Sequence, residues 1–151
     1  MTNSEQSHTI EQTKGKLKWL LYGVILAALA VRGQSLGRVI EVTADHDSRY
    51  KIAGMSKPVI TVTAGEAIVL RITAVKAKTH NRDGSVHGFT LVRAKDRKPV
   101  EGWDFLLQPG IQEFSVRAPL EPGEYEVICT VICSAAHEGM NMKFVVLPAG
   151  N

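Results

Sequence analysis

The sequence predicts an all-β sandwich over residues 38–151, preceded by one apolar helical segment near the N-terminus. Two observations favour the sandwich. Past residue 37, seven short runs of β-branched and apolar residues recur between turn residues, and no stretch has the 3.6-residue periodicity of a helix. A parallel α/β sheet would need crossover helices, which this segment does not offer. Short strands in this number and spacing are typical of a β-sandwich.

The N-terminal region predicts attachment to a membrane. Residues 1–16 are predicted to be a polar tail on the cytoplasmic side, and residues 17–31 are an apolar run that is uncharged from Trp19 onward. The run is short for a bilayer core of about 30 Å, which takes about 20 helical residues. However, flanking Lys and Arg side chains can extend to the surface, and Trp19 and Tyr22 suit the interface. Residues 17–31 are therefore predicted to be a retained transmembrane anchor, with a cleaved signal peptide as the alternative.

Charge predicts the side of the membrane on which the domain lies. The chain has 18 Lys/Arg and 15 Asp/Glu, a formal net charge of +3, and the basic excess lies largely around the apolar run. That pattern indicates a membrane protein and not a nucleic-acid binder. Because lysines precede the span, we expect the domain, after a short linker at residues 32–37, on the periplasmic or extracytoplasmic side of the cell membrane. Its cysteines would then meet an oxidising compartment.

The strands of the domain are predicted from the apolar runs and the turns between them. Pro109-Gly110 and Pro122-Gly123 mark turns, because proline presets φ and glycine tolerates a positive φ. Residues 93–110, which contain Trp103, are predicted to be a long loop. The predicted strands are residues 38–44, 58–64, 67–75, 86–92, 111–117, 124–131 and 142–147.

Residues able to bind a metal cluster near the C-terminus. The only two cysteines, Cys129 and Cys133, are four positions apart, and His137 and Met140 follow in the same predicted loop. Thiolate, imidazole and thioether together form a soft donor set that suits copper, whereas zinc rarely takes methionine. His87, on a separate strand, supplies a second imidazole. A second cysteine suggests a second copper ion, with both thiolates bridging the two ions.

Two other interpretations of the cysteine pair stay open. A disulfide is compatible with an oxidising compartment, although it leaves the histidines and the methionine without a role. The second interpretation is a redox dithiol, because anchored copper chaperones of the thioredoxin fold also carry C-x-x-x-C. Those proteins continue into a helix after the cysteines, whereas a loop and a strand are predicted here.

Two motifs together resemble a known family. H-G-F at residues 87–89, followed farther along by P-G-E-Y-x-x-x-C-x-x-x-C-x-x-x-H-x-x-M at residues 122–140, resembles the copper A domain of cytochrome c oxidase subunit II. Nitrous oxide reductase has the same ligand pattern, and a single short anchor is similar to the small subunit II of some B-type haem-copper oxidases. The resemblance covers residues 38–148. It implies a cupredoxin-like Greek-key β-sandwich with one N-terminal transmembrane helix and two copper ions in a mixed-valence copper A centre.

The resemblance also implies the ligands and the function. The ligands would be two bridging thiolates, one imidazole for each ion, an axial thioether and a backbone carbonyl: Cys129 and Cys133, His87 and His137, Met140, and Val131. The chain would be the electron-transfer subunit of a haem-copper terminal oxidase. It would accept electrons from a soluble cytochrome c or small copper protein and pass them to a haem-containing catalytic subunit I. A stand-alone anchored copper carrier or delivery protein, and the copper A subunit of a nitric oxide reductase, are the alternatives.

Two positions inside the motif differ from the usual pattern of the family. Val131 stands where an acidic or amide residue is common, and Ser134 stands where glycine often follows the second cysteine. A carbonyl ligand is compatible with valine, because every residue provides a backbone carbonyl. Four apolar residues are expected to shield the centre from water: Phe89, Ile128, Ile132 and Met142.

Overall fold

The computed structural model describes residues 37–150, which form nine β-strands in two sheets. One sheet has the strand order β2-β1-β4-β7 and the other the order β3-β9-β8-β5-β6. The strands are β1 (Arg38–Asp45), β2 (Arg49–Lys51), β3 (Val59–Thr63), β4 (Ala67–Ala74), β5 (His87–Arg93), β6 (Pro99–Leu107), β7 (Gly110–Arg117), β8 (Gly123–Ile128) and β9 (Asn141–Leu147). The predicted all-β class is confirmed.

The predicted tail and anchor, at residues 1–16 and 17–31, lie outside the described residues, as does nearly all of the linker at 32–37. Between residues 37 and 150, the structure contains no helix whose length and apolar character would let it cross a bilayer. The prediction of an anchor therefore stays a prediction.

Two pairs of neighbouring strands run parallel although the domain has no crossover helix. β1 pairs with β4 in parallel register, from Arg38 opposite Ile68 to Ala44 opposite Ala74. Between these two strands the chain passes through β3, which belongs to the other sheet. β3 likewise pairs in parallel with β9, and the remaining pairs are antiparallel. The chain thus makes its crossovers by changing sheets, so strands alone can build the sandwich.

Alternating side chains of both sheets form one core. On β4, Ile68, Leu70 and Ile72 are buried and alternate with residues that are only partly covered. Phe89 of β5 and Phe144 of β9 belong to the same buried cluster from the second sheet. Since burying such a side chain contributes about 1.5–3 kcal/mol, this shared core holds the two sheets together.

The structure corrects the predicted loop at residues 93–110. Half of this segment is the nine-residue strand β6, in which Trp103 is buried and donates its Nε1–H to the Arg117 carbonyl at 3.1 Å. β6 lies at the edge of its sheet, with Gly102 at a φ of 75° and a register shift opposite it. An edge strand that is mostly exposed and interrupted in this way lacks the regular alternation by which strands are predicted. The three-residue β2 was also not predicted, and β8 ends at Ile128 rather than at residue 131.

β5 passes very close to the segment that follows β8. Gly88 lies against Thr130, and a Cβ built on Gly88 would sit 2.7 Å from the Thr130 backbone nitrogen and closer still to its Oγ1. A contact of this kind with backbone atoms leaves no space for any side chain at residue 88. Glycine at this position thus allows β5 and the Cys129 segment to come together.

We expect Gly88→Ala to lower the free energy of unfolding by about 1–3 kcal/mol, because the added methyl group must push the Thr130 segment away. Equilibrium unfolding in guanidinium chloride measures the change. Gly139→Ala is the matched control, since a Cβ there meets nothing within 4 Å and the φ of Gly139 is not positive. Equal destabilisation by the two substitutions would show that the close approach is not what requires glycine at residue 88.

Candidate metal centre

Three of the predicted ligands meet at one end of the sandwich. His87 begins β5, Cys129 directly follows β8, and Cys133 lies in the loop that leads to β9. One ligand atom from each of these residues lies within 4.8 Å of the other two, and all three side chains are buried. Both cysteines are free thiols with their sulfurs 3.9 Å apart, well beyond the roughly 2.05 Å of a disulfide bond.

The His87 ring is oriented by a backbone carbonyl. Its Nε2 lies 3.0 Å from the carbonyl oxygen of Val75, the residue directly after β4. Because a carbonyl can only accept, Nε2 carries the proton and Nδ1 keeps a free lone pair. Nδ1 is buried and has no hydrogen-bond partner in the part of the chain that the structure describes. A buried acceptor without a partner costs about 1–3 kcal/mol, and a metal ion beside the sulfurs would satisfy it.

Burial keeps His87 in the form that binds metals. Removal from water lowers the pKa of His87 below its usual range, although the Val75 carbonyl and the charge of Asp45 oppose this effect. The ring is therefore a neutral imidazole at neutral pH, and only the neutral ring can donate a lone pair to a metal.

The Cys129 sulfur lies between two backbone groups. It accepts the Gly88 N–H at 3.3 Å and lies 3.3 Å from the Val131 carbonyl oxygen. Burial raises the pKa of the Cys129 thiol, the backbone contacts oppose that rise, and the neighbouring Cys133 adds to it. Two adjacent thiolates are thus unfavourable here unless a cation neutralises them, and a bound metal would be that cation.

Val131 brings its carbonyl to the sulfur pair. Its oxygen accepts the Cys133 N–H at 2.8 Å in a tight turn and lies beside Cys129 Sγ, while the valine side chain is buried. A ligand at this position would therefore be the main-chain oxygen, because the side chain has no donor atom.

Met140 and His137 are placed differently. Met140 is 1% exposed, and its carbonyl accepts the Cys129 N–H at 3.1 Å, so its backbone lies beside the first cysteine. His137 begins a short 3₁₀ helix, His137–Gly139, and is only half-buried. Its Nδ1 lies 3.1 Å from the Ser134 carbonyl, and it does not belong to the group of three. His137 would bind an ion at the sulfurs through Nδ1 only after its ring leaves that carbonyl.

The structure also identifies residues around the site that the sequence did not predict. Thr79 donates its N–H to the Cys133 carbonyl at 3.3 Å and its hydroxyl to the Ile132 carbonyl at 2.5 Å. Ser48 lies 3.7 Å from Cys133 through its Oγ. Tyr50 donates its hydroxyl to the Gly88 carbonyl at 2.5 Å, and burial beside the two thiols raises its pKa. No local motif marks these residues, since they come from segments far from the cysteines in sequence.

The predicted apolar shield is correct only in part. Phe89 and Met142 are buried, but Ile132 is 68% exposed. The turn at Val131 accounts for the difference, because Val131 and Cys133 both point inward and the residue between them faces solvent. The fold also excludes the thioredoxin-type dithiol: after Cys133 come a loop and β9 rather than a long helix.

We expect the metal-free protein to lose stability as the pH falls from about 7 to about 5, because the unfolded chain binds a proton at His87 that the folded chain does not accept. The lowered pKa of buried His87 sets this sign. Denaturant unfolding at several pH values measures it. His87→Gln should show a smaller decrease over the same range, whereas an unchanged pH dependence would contradict the lowered pKa.

Comparisons with known proteins place the fold. No protein-family profile matches the sequence, and no curated protein matches it either. Auracyanin A, a blue copper protein from the green thermophilic photosynthetic bacterium Chloroflexus aurantiacus, aligns over 72% of this chain and 98% of its own, with 20% identity and a TM-score of 0.50. Auracyanin B aligns over 77% and 93%, with 18% identity and a TM-score of 0.51. A chain of a haem-copper terminal oxidase dimer aligns over 95% and 100%, with 13% identity and a TM-score of 0.49. At these identities the likeness to the two auracyanins is one of fold, and it shows a cupredoxin-like β-sandwich fold for the domain.

Proposed function

We propose that this domain is an electron-transfer module that holds two copper ions between the thiolates of Cys129 and Cys133. The observation that carries the proposal concerns His87. Its buried Nδ1 has no hydrogen-bond partner among residues 37–150, and its ring lies in one group with two free, buried thiols. Soft thiolate sulfur combined with imidazole nitrogen suits copper. A solitary dithiol would not explain why a neutral imidazole is fixed beside it with its free lone pair inside the protein.

The proposed ligand set has six members, of which the three grouped side chains form the preassembled part. His137 would bind one ion and His87 the other, Met140 would be a weak ligand of one ion, and the Val131 carbonyl would be a ligand of the other. Copper bound by these residues would supply one-electron redox chemistry. The position of Val131 O beside Cys129 Sγ and the burial of Met140 support these two assignments.

The residues around the site are suited to fast electron transfer because they hold the ligands in place. The Val75 carbonyl orients the His87 ring, and the Gly88 N–H contacts the Cys129 sulfur. Thr79 donates hydrogen bonds to the carbonyls of Ile132 and Cys133. Ligands that keep their positions when the charge of the site changes minimise reorganisation. Burial of both cysteines keeps water away from the sulfurs and so influences the reduction potential.

We infer that the domain serves as electron-entry subunit of a membrane-bound haem-copper oxidase. The motif at residues 87–89 and 122–140 supports this role, and so does the apolar run at residues 17–31, which would anchor the domain on the extracytoplasmic face. Its partners would be a soluble cytochrome c or copper protein as donor and a haem-containing subunit as acceptor. The same motif is compatible with a nitric oxide reductase.

A second candidate is a stand-alone anchored copper protein that carries electrons or delivers copper. The domain aligns with 98% of auracyanin A, which is a blue copper protein in its own right. Sites of that kind use one copper and one cysteine. The presence of two buried cysteines at this site favours the dinuclear proposal over it.

We expect the full chain, purified in detergent with reduced thiols and loaded with copper, to bind two ions and to give a seven-line EPR spectrum. Two equivalent copper nuclei of spin 3/2 that share one unpaired electron produce that pattern. Metal analysis and EPR provide the measurement. A four-line spectrum from a single copper would contradict the dinuclear proposal and favour storage or delivery.

Two substitutions act as controls for this experiment. Cys133→Ser should abolish the mixed-valence spectrum, because one bridge is lost. Met140→Leu should keep the seven lines and shift the reduction potential, whereas Met55→Leu, at a methionine that is 51% exposed, should change neither. An intact spectrum in Cys133→Ser would show that Cys133 does not bridge.

We expect the chain, isolated from its native membranes in mild detergent, to co-purify with a haem-containing subunit. Optical spectra of haem and oxygen-consumption assays with a reduced cytochrome c or copper protein test this expectation. Recovery of the copper-loaded chain alone, without haem, would favour the stand-alone carrier. Nitric oxide consumption without oxygen consumption would assign the complex to the reductases.

A further inference from the structure

A buried serine from a distant turn reaches the second cysteine. Ser48 lies in the turn between β1 and β2 and is 5% exposed. Its Oγ is 3.7 Å from Cys133 Sγ and 2.6 Å from Ser134 Oγ. The Ser48 N–H donates to the Asp45 carbonyl at 3.1 Å, which fixes the turn. Two hydroxyl groups therefore meet beside one of the two sulfurs.

The donors and acceptors of this cluster fix its direction when Cys133 is a thiolate. The Ser134 Oγ accepts the Ala136 N–H at 3.0 Å, so its own proton is free for Ser48. The Ser48 hydroxyl then has its single proton left for the sulfur, and a thiolate can only accept. The result is a chain of donors that runs from Ala136 N–H through Ser134 and Ser48 to Cys133 Sγ. Each hydrogen bond in such a chain polarises the next.

The backbone of Ser48 gives a second, independent reason to look for a role. Its φ is 59°, in the left-handed region that is unfavourable for residues other than glycine. Glycine would adopt this turn with less strain, but it has no hydroxyl group. Strain of this kind concentrates at functional sites, where a side chain is needed in a fixed position.

We propose that Ser48 is a positioning residue of the metal centre: its hydroxyl, polarised by Ser134, donates a hydrogen bond to the Cys133 thiolate and raises the reduction potential. This inference rests on the proposed function. A hydrogen bond withdraws electron density from the sulfur, and this weakens the stabilisation that the thiolate gives the oxidised metal more than that which it gives the reduced metal. Loss of the hydroxyl should therefore lower the potential.

Ser48 is suited to this role because substitution can remove its hydroxyl without removing a metal ligand. Among residues 37–150, it is the one residue with a side-chain hydroxyl within hydrogen-bond distance of either sulfur. Cys129 instead accepts the backbone N–H of Gly88, which substitution of side chains does not remove. The relay also depends on Ser134, at the position where the family that the motif resembles often has glycine.

The test measures the reduction potential of the copper-loaded full chain by spectroelectrochemical titration. Ser48→Gly suits the positive φ and removes the hydroxyl together with its Cβ carbon, and Ser48→Ala removes the hydroxyl alone without relieving the backbone. Both should lower the potential, and Ser134→Ala should lower it less, because the Ser48 hydroxyl remains but loses its polarising partner. Ser115→Ala, at an exposed position on β7, is the control and should leave the potential unchanged. An unchanged potential in Ser48→Gly overturns the proposal.

Two further measurements separate a hydrogen bond from a merely structural effect. In deuterated buffer, electron–nuclear double resonance of the copper-loaded protein should detect an exchangeable deuteron coupled to the unpaired spin, and Ser48→Gly should lose it. In the protein loaded with copper(I), which is diamagnetic and would keep Cys133 a thiolate, NMR should show a slowly exchanging Ser48 hydroxyl proton close to the Cys133 β-protons. Failure of this NMR contact overturns the relay, whether or not a mixed-valence centre forms on oxidation. If the contact is present but no seven-line spectrum forms, the relay is supported and the dinuclear function is what fails.

Discussion

The close packing of β5 against the segment after β8 determines how His87 and the two cysteines come together. Gly88 touches the Thr130 backbone, and this contact places the Gly88 N–H on the Cys129 sulfur and His87 next to both cysteines. A larger residue would separate the strand from the segment and spread the donors apart. The histidine and the glycine of H-G-F therefore have distinct roles. His87 supplies a donor atom, and Gly88 allows β5 to come close enough for that atom to lie beside the cysteines.

Burial has the same consequence for three ionisable groups at this end of the sandwich. It lowers the pKa of His87 and raises those of Cys129 and Tyr50, so all three favour their neutral forms. In a site that is lined with neutral donors and shielded from water, little else stabilises the negative charge of a thiolate. Metal binding must therefore release protons from the thiols, and the charge of the ions replaces that of the protons.

The sequence was sufficient for the all-β class, because strand patterns are local signals, and it named the three side chains that the structure brings together: His87, Cys129 and Cys133. Seven alternating runs became strands, and the spacing from Cys129 to Met140 identified the loop. β6 was missed because an edge strand with Gly102 in its middle has no clear alternation. The Ser48 contact and the Val75 carbonyl could not be predicted, since they depend on how segments far apart in the chain meet. The orientation of the His87 ring is likewise a property of the packed structure and not of any motif.

The two sheets contribute jointly to this end of the molecule. Val75 follows β4 and Tyr50 lies on β2 of the first sheet, and both bond to residues of β5 in the second. A fluctuation that parted the sheets here would release the His87 ring from the carbonyl that orients it, although the proposed ligands themselves all belong to β5 and to the segment between β8 and β9. An ion whose affinity depends on the orientation of that ring would be linked to this fluctuation by mass action, so its binding would oppose the opening. Loss of the metal would then loosen the contact between the two sheets first at this end of the domain.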